Sequence, residues 1–136
     1  MKYKFVEDLK SDVMFEAYGK NINELFENAA LALLSVICNL DKVKPLKKEK
    51  FEVKGTDLED LMFNWLGAVI AITETEHMFF SKVKAINVTQ KKIIAELYGE
   101  PISPEKGETV VKAVTYYGFK LEKEKKGYKV RVSLDI

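Results

Sequence analysis

Ser11-Asp12-Val13-Met14-Phe15-Glu16-Ala17-Tyr18-Gly19-Lys20-Asn21-Ile22-Asn23-Glu24-Leu25-Phe26 contains two rhythms, and the switch between them decides the fold. From Ser11 to Gly19 large apolar residues alternate with others, the period of a half-buried strand. Gly19 punctuates. Asn21 and Glu24 then form a capping box, in which Asn21 accepts from a free first-turn amide and Glu24 reaches back. Beyond it, Ile22, Leu25, Phe26, Ala29, Ala30, Leu33, Leu34 and Ile37 recur at three- and four-residue steps, giving one apolar helical face wide enough to lie on a sheet.

Outward from this unit, Met1 to Val6 reads as a short edge strand and Glu7 to Lys10 as a polar loop. The helix ends near Cys38-Asn39, and a lysine-rich loop with Pro45 runs from Asp41 to Lys50. Phe51 to Lys54 alternates as a strand, Gly55 breaks it, and Thr56-Asp57-Leu58-Glu59 offers a second capping box. Leu58, Leu61, Met62, Trp65, Leu66, Val69 and Ile70 define a second helix ending about Glu74–Glu76. Strands are expected over Phe79–Thr89, Lys91–Gly99 and Thr109–Tyr117, with a loop over Pro101–Gly107. Gly118 introduces a bulge before Phe119–Glu122, Lys123–Gly127 turns, and Tyr128, Val130, Val132 and Leu134 line a last strand. The expected fold is α+β: a two-layer sandwich with one mixed, mostly antiparallel sheet and two helices on one face. No repeat or linker is evident, so residues 1–136 form a single domain.

Composition narrows the function classes. With 47% hydrophobic and 32% charged residues, the chain is an ordinary globule able to bury a core without staples. A net charge of +1 gives no bulk pull towards nucleic acid or membrane. Arg131 is the one arginine among 22 basic residues, so the forks that grip phosphates and guanine edges are missing. The single cysteine, no membrane-length apolar run and no signal peptide lead us to expect a cytoplasmic protein.

Catalytic candidates are few. His77 is the only histidine, which excludes a His-based zinc site and leaves a residue at a helix-to-strand handover. Cys38 reads as a small buried hydrophobe, Trp65 as core, and the seven glycines form no phosphate loop. What remains is carboxylates at the two ends. If the last strand lies beside the strand beginning at Asp12, then Asp12, Asp135 and the carboxylate of Ile136 converge into an oxygen-only set suited to Ca²⁺ or Mg²⁺. The plain alternative is a pair of solvated aspartates.

The chain resembles the archease family over nearly its whole length. The resemblance is carried by Asp12 with Phe15-Glu16-Ala17-Tyr18-Gly19, the Glu24–Ala30 helix, Asp57-Leu58-Glu59-Asp60-Leu61 with Trp65-Leu66, and Gly99-Glu100. Lys112-Ala113-Val114-Thr115-Tyr116 with Gly118 and the final Leu134-Asp135-Ile136 complete it. The resemblance implies an accessory protein of tRNA splicing, not itself an enzyme. Its partner would be the tRNA-splicing RNA ligase that joins 3′-phosphate and 5′-hydroxyl ends, with tRNA contacted only indirectly through that ligase. It implies promotion of ligase guanylylation and multiple turnover, and a divalent cation held by Asp12, Asp135 and Ile136. The resemblance points to calcium as that cation, with Mg²⁺ or Mn²⁺ as alternatives.

Two positions depart from the family pattern. Leu9-Lys10-Ser11 stands where the family often has His-Thr-Ala, and Tyr117 stands where a histidine is usual in Thr-Tyr-His-Gly. Two other classes remain open. One is a chaperone or modulator of RNA-modifying enzymes such as a tRNA methyltransferase. The other is a metal-dependent phosphoesterase, against which stand the missing general base and phosphate-gripping arginine.

Overall fold

A computed structural model describes residues 1–8, 10 and 12–136. Four strands, β1 (Tyr3–Val6), β2 (Val13–Gly19), β7 (Gly127–Asp135) and β6 (Ala113–Glu124), make one sheet in that spatial order. A second sheet orders β3 (Lys47–Lys54), β5 (Lys92–Pro101) and β4 (Met78–Val88). The helices are α1 (Ile22–Ile37) and α2 (Leu58–Glu76). The α+β class stands, with one correction: among the described residues the strands divide into two sheets, and every strand pairing within them is antiparallel. Alternation along a strand says which face is wet but not which strand lies next door, so the division has no local signature.

One strand–glycine–helix device occurs twice. After β2, Asn21 caps α1 by accepting from the Glu24 amide at 2.9 Å, and Glu24 accepts from the Lys20 amide at 3.4 Å. After β3, Asp57 caps α2 by accepting from the Asp60 amide at 2.8 Å, while Asp60 accepts from the Thr56 amide at 2.8 Å. The second box is thus closed by Asp60 and not by Glu59. A Cβ on Gly19 or Gly55 would collide with the backbone of Leu25 or Leu61, so glycine is what lets each strand turn directly onto its helix.

α1 packs against β2 and β4, and α2 against β3 and β6, so each helix bridges both sheets. The Trp65 indole N–H donates to the Phe26 carbonyl at 3.0 Å, and its ring stacks on Phe51 with centroids 5.5 Å apart. That contact joins α1, α2 and β3. His77 ends α2 in the left-handed conformation, φ 52°, which suits the expected handover. Cys38 is fully buried, and burial followed by the nearby Glu108 charge pushes its thiol up to about 11, so it is an inert core residue.

Two boundaries differ from expectation. β3 begins at Lys47, within the lysine-rich stretch read as loop. It is an edge strand, and its outward lysines suit an edge that must stay unpaired. Residues 108–112 lie outside any strand; the Glu108 and Thr109 amides donate to the Ile37 and Val36 carbonyls at 2.9 and 3.1 Å, and the Lys112 amide donates to the Asp135 carbonyl of β7 at 2.7 Å. This span laps the end of α1 before β6 begins.

Candidate functional site

β2 and β7 are neighbours with Val13 opposite Leu134, so Asp12, one residue before β2, and Asp135, the last of β7, fall opposite each other. Residues opposite in an antiparallel pair share a face. Phe15, Ala17, Val130, Val132 and Leu134 turn inward to the core, leaving Asp12, Met14, Glu16 and Tyr18 beside Lys129, Arg131, Ser133 and Asp135 on the outer face. The Ile136 amide donates to Asp12 Oδ2 at 3.3 Å. Both Asp12 and Asp135 line a cleft of about 280 Å³ with Lys10, Thr115, Tyr117 and Ser133. Asp12 also borders an adjoining hollow with Glu7 and Asp8.

All three sequence-predicted donors therefore lie at one sheet end. Their chemistry is oxygen only. Among the described residues no group of three or more His, Cys, Asp or Glu side chains is placed to hold a metal ion. Asp12 and Asp135 thus bring two side-chain carboxylates to one cleft, oxygen donors of the hard kind that Ca²⁺ takes in shells of about six to eight ligands. Leu9 and Ser11, two of the positions that depart from the family pattern, lie outside the described residues.

The cleft has a second tier that the sequence did not disclose. The Ser133 hydroxyl donates to the Tyr117 carbonyl at 2.7 Å. Its proton being so used, Thr115 donates to Ser133 Oγ across 2.6 Å. The Tyr117 hydroxyl donates to Asp8 at 3.2 Å to Oδ1 and 3.3 Å to Oδ2, and Asp8 Oδ1 also accepts from the Lys10 amide at 2.8 Å. Asp8 looked like loop polarity in the sequence; no periodicity ties it to a residue more than a hundred positions away.

Further along the same face Glu16 is only 8% exposed. It accepts from the Tyr18 hydroxyl at 3.0 Å and from Arg131 Nε at 3.4 Å, with the Lys4 and Lys129 ammonium groups at 3.7 and 4.0 Å. Burial alone would push its carboxyl up, but Tyr18 and these cations together outweigh it and hold it below its ordinary value of 4.5. Burial, then Glu16, pushes the Tyr18 hydroxyl up to about 12. The chain's one arginine is thus engaged within the sheet.

A model of the Archease protein family (MTH1598/TM1083) matches residues 3–136. The chain belongs to the archease family. It is 37% identical over 139 residues to the protein archease of Sulfurisphaera tokodaii, covering 99% of each chain. To that of Pyrococcus abyssi it is 39% identical over 118 residues, covering 83% of each. The solution structure of Methanobacterium thermoautotrophicum protein 1598 superimposes with a TM-score of 0.81 at 30% identity, covering 98% of each chain. The fold also matches the crystal structure of a Thermotoga maritima archease, described as a possible chaperone, with a TM-score of 0.67 at 18% identity over 98% of this chain and 97% of that one. The archease fold and its two-sheet, two-helix architecture are therefore those of this chain. Among the described residues no helix is long and apolar enough to cross a membrane.

Proposed function

We propose that this archease activates the tRNA-splicing RNA ligase that joins 3′-phosphate and 5′-hydroxyl ends, promoting its guanylylation and multiple turnover. The observation that carries the reading is the contact between the two ends of the chain: the Ile136 amide on Asp12, with Asp135 in the same cleft. Asp12, Asp135 and the Ile136 carboxylate would hold a divalent cation, taken as calcium. A cation held there would supply concentrated positive charge at an exposed edge.

The chain's own residues do the rest. The Ile136 amide holds Asp12 by its Oδ2 oxygen. The Thr115–Ser133–Tyr117 hydrogen bonds fix β6 over β7 and so wall the cleft. An acidic tip of this kind would enter a ligase active site that is itself rich in metal and phosphate, and reposition its reacting groups. With Arg131 engaged by Glu16, tRNA contact would pass through the ligase.

The test is pre-steady-state guanylylation of a cognate ligase with GTP, Mn²⁺ and broken tRNA, using folded Asp12→Ala and Asp135→Ala variants. Loss of stimulation is expected from both; full stimulation by both would remove the reading. A second reading, a chaperone or modulator of RNA-modifying enzymes such as a tRNA methyltransferase, is favoured by one separate observation. An apolar cleft of about 350 Å³ lined by Ile37, Ile70, Phe79 and Val111 shares no residue with the acidic one, and Val110 beside it is 75% exposed. That reading expects client solubility to improve regardless of Asp12.

A further inference from the structure

β6 departs from its partner at one place. It advances from Thr115 to Lys120 while β7 advances only from Ser133 to Arg131, so the residues between are thrown out as a bulge. Gly118 makes the turn with φ +64°, and a Cβ there would stand 3.1 Å from Met14 Cε. The bulge is pinned from the inner side by aromatic packing: Tyr116 stacks on Phe63 of α2 with centroids 3.9 Å apart, and Phe119 meets the same ring edge-on at 5.6 Å. Ser133 holds the Tyr117 carbonyl from β7. The Tyr117 hydroxyl reaches Asp8 across the sheet end.

Asp8 lies in the connection between β1 and β2, which must deliver Asp12 to the cleft. Its Oδ1 also receives the Lys10 amide, two residues further on, so one carboxylate joins the Lys10 backbone to β6. We propose that Tyr117 is a positioning residue for the Asp12 site: through Asp8 its hydroxyl ties the β1–β2 connection so that Asp12 stays opposite Asp135. This rests on the reading that Asp12 and Asp135 hold a cation. Partial burial, and then the Asp8 charge, push the Tyr117 hydroxyl above its ordinary value of 10, so it remains a donor throughout the neutral range. Groups that orient metal ligands in this way commonly account for about 10–100-fold in metal affinity.

The experiment is calorimetric titration of the full chain with CaCl₂, beside amide hydrogen exchange at Lys10 without metal. Tyr117→Phe keeps the ring and removes the donor. It is expected to weaken Ca²⁺ binding by about tenfold and to speed exchange at Lys10, with the melting temperature without metal nearly unchanged. Asp8→Ala should weaken binding similarly, and adding Tyr117→Phe to it should change nothing more. Tyr117→His, which restores a donor, should recover most of the affinity, a rescue that a purely packing role for the ring would not give. Wild-type affinity and unchanged Lys10 exchange in Tyr117→Phe would overturn the positioning role alone. Absence of Ca²⁺ binding by the wild-type chain would overturn the cation reading and this inference with it.

Discussion

Asn28 and Asn64 stand in the same relation to their strands: each side-chain amide donates to a carbonyl ten residues upstream, Tyr18 at 2.7 Å and Lys54 at 3.0 Å. Each thereby ties the second turn of a helix to the last strand residue before the glycine. The pair differs in burial, since Asn28 is 4% exposed whereas Asn64 faces solvent. A carbonyl left unpaired in the interior loses its full solvation, while an exposed one is rehydrated. Asn28→Ala should therefore cost about 1–3 kcal/mol and Asn64→Ala under about 1 kcal/mol, read from urea unfolding midpoints.

The glycines allow a paired test with opposite signs. Gly19→Ala and Gly55→Ala place a methyl group into the Leu25 and Leu61 backbones and should destabilise strongly. Gly67→Ala, in the middle of α2 with nothing within 4 Å, should stabilise by about 0.5–1 kcal/mol through helix propensity. Thermal melts of the three variants decide. A stabilised Gly19→Ala would refute the close strand-to-helix turn.

The buried Glu16 sets an acid limit. Its folded carboxyl lies below the ordinary 4.5, so its contribution is fully present above that value and is lost as pH falls through the lowered one. Glu16→Gln should reduce stability at neutral pH by about 1 kcal/mol or more, and should flatten the loss below about pH 4.5. The check is unfolding free energy against pH for both proteins.

If the Ile136 carboxylate is a donor, continuing the chain past it should act like a ligand mutation. A short C-terminal extension is expected to lower Ca²⁺ affinity by about tenfold or more and to abolish ligase stimulation, while an N-terminal tag leaves both unchanged. Calorimetry and the guanylylation assay check this together.

Much of the fold was legible because its signals are local. Asn21 and Asp57 announce their helices, the spacing from Ile22 to Ile37 gives α1 its face, and Val130, Val132 and Leu134 give β7 its inner side. The meeting of Asp12 with Asp135 was legible only as a condition on strand neighbours, which β2–β7 pairing meets. The rest depends on partners remote in the chain. β3 hid its first half behind lysines that suit an edge, and the two copies of the helix device share roles more than residue identities. Asp8 and Tyr117 meet through a bulge whose Tyr116 stacks on Phe63, a residue of another element.

The alignment of β2 with β7 also guards against error. Were the pair to slip by a single residue, the two acids would part to opposite sides, and Val130, Val132 and Leu134 would be turned out into water in the same movement. Oil-like packing, rather than any attraction among the acids, thus sets which strand positions face each other, and two mutually repelling groups are brought to one side at no cost to folding accuracy.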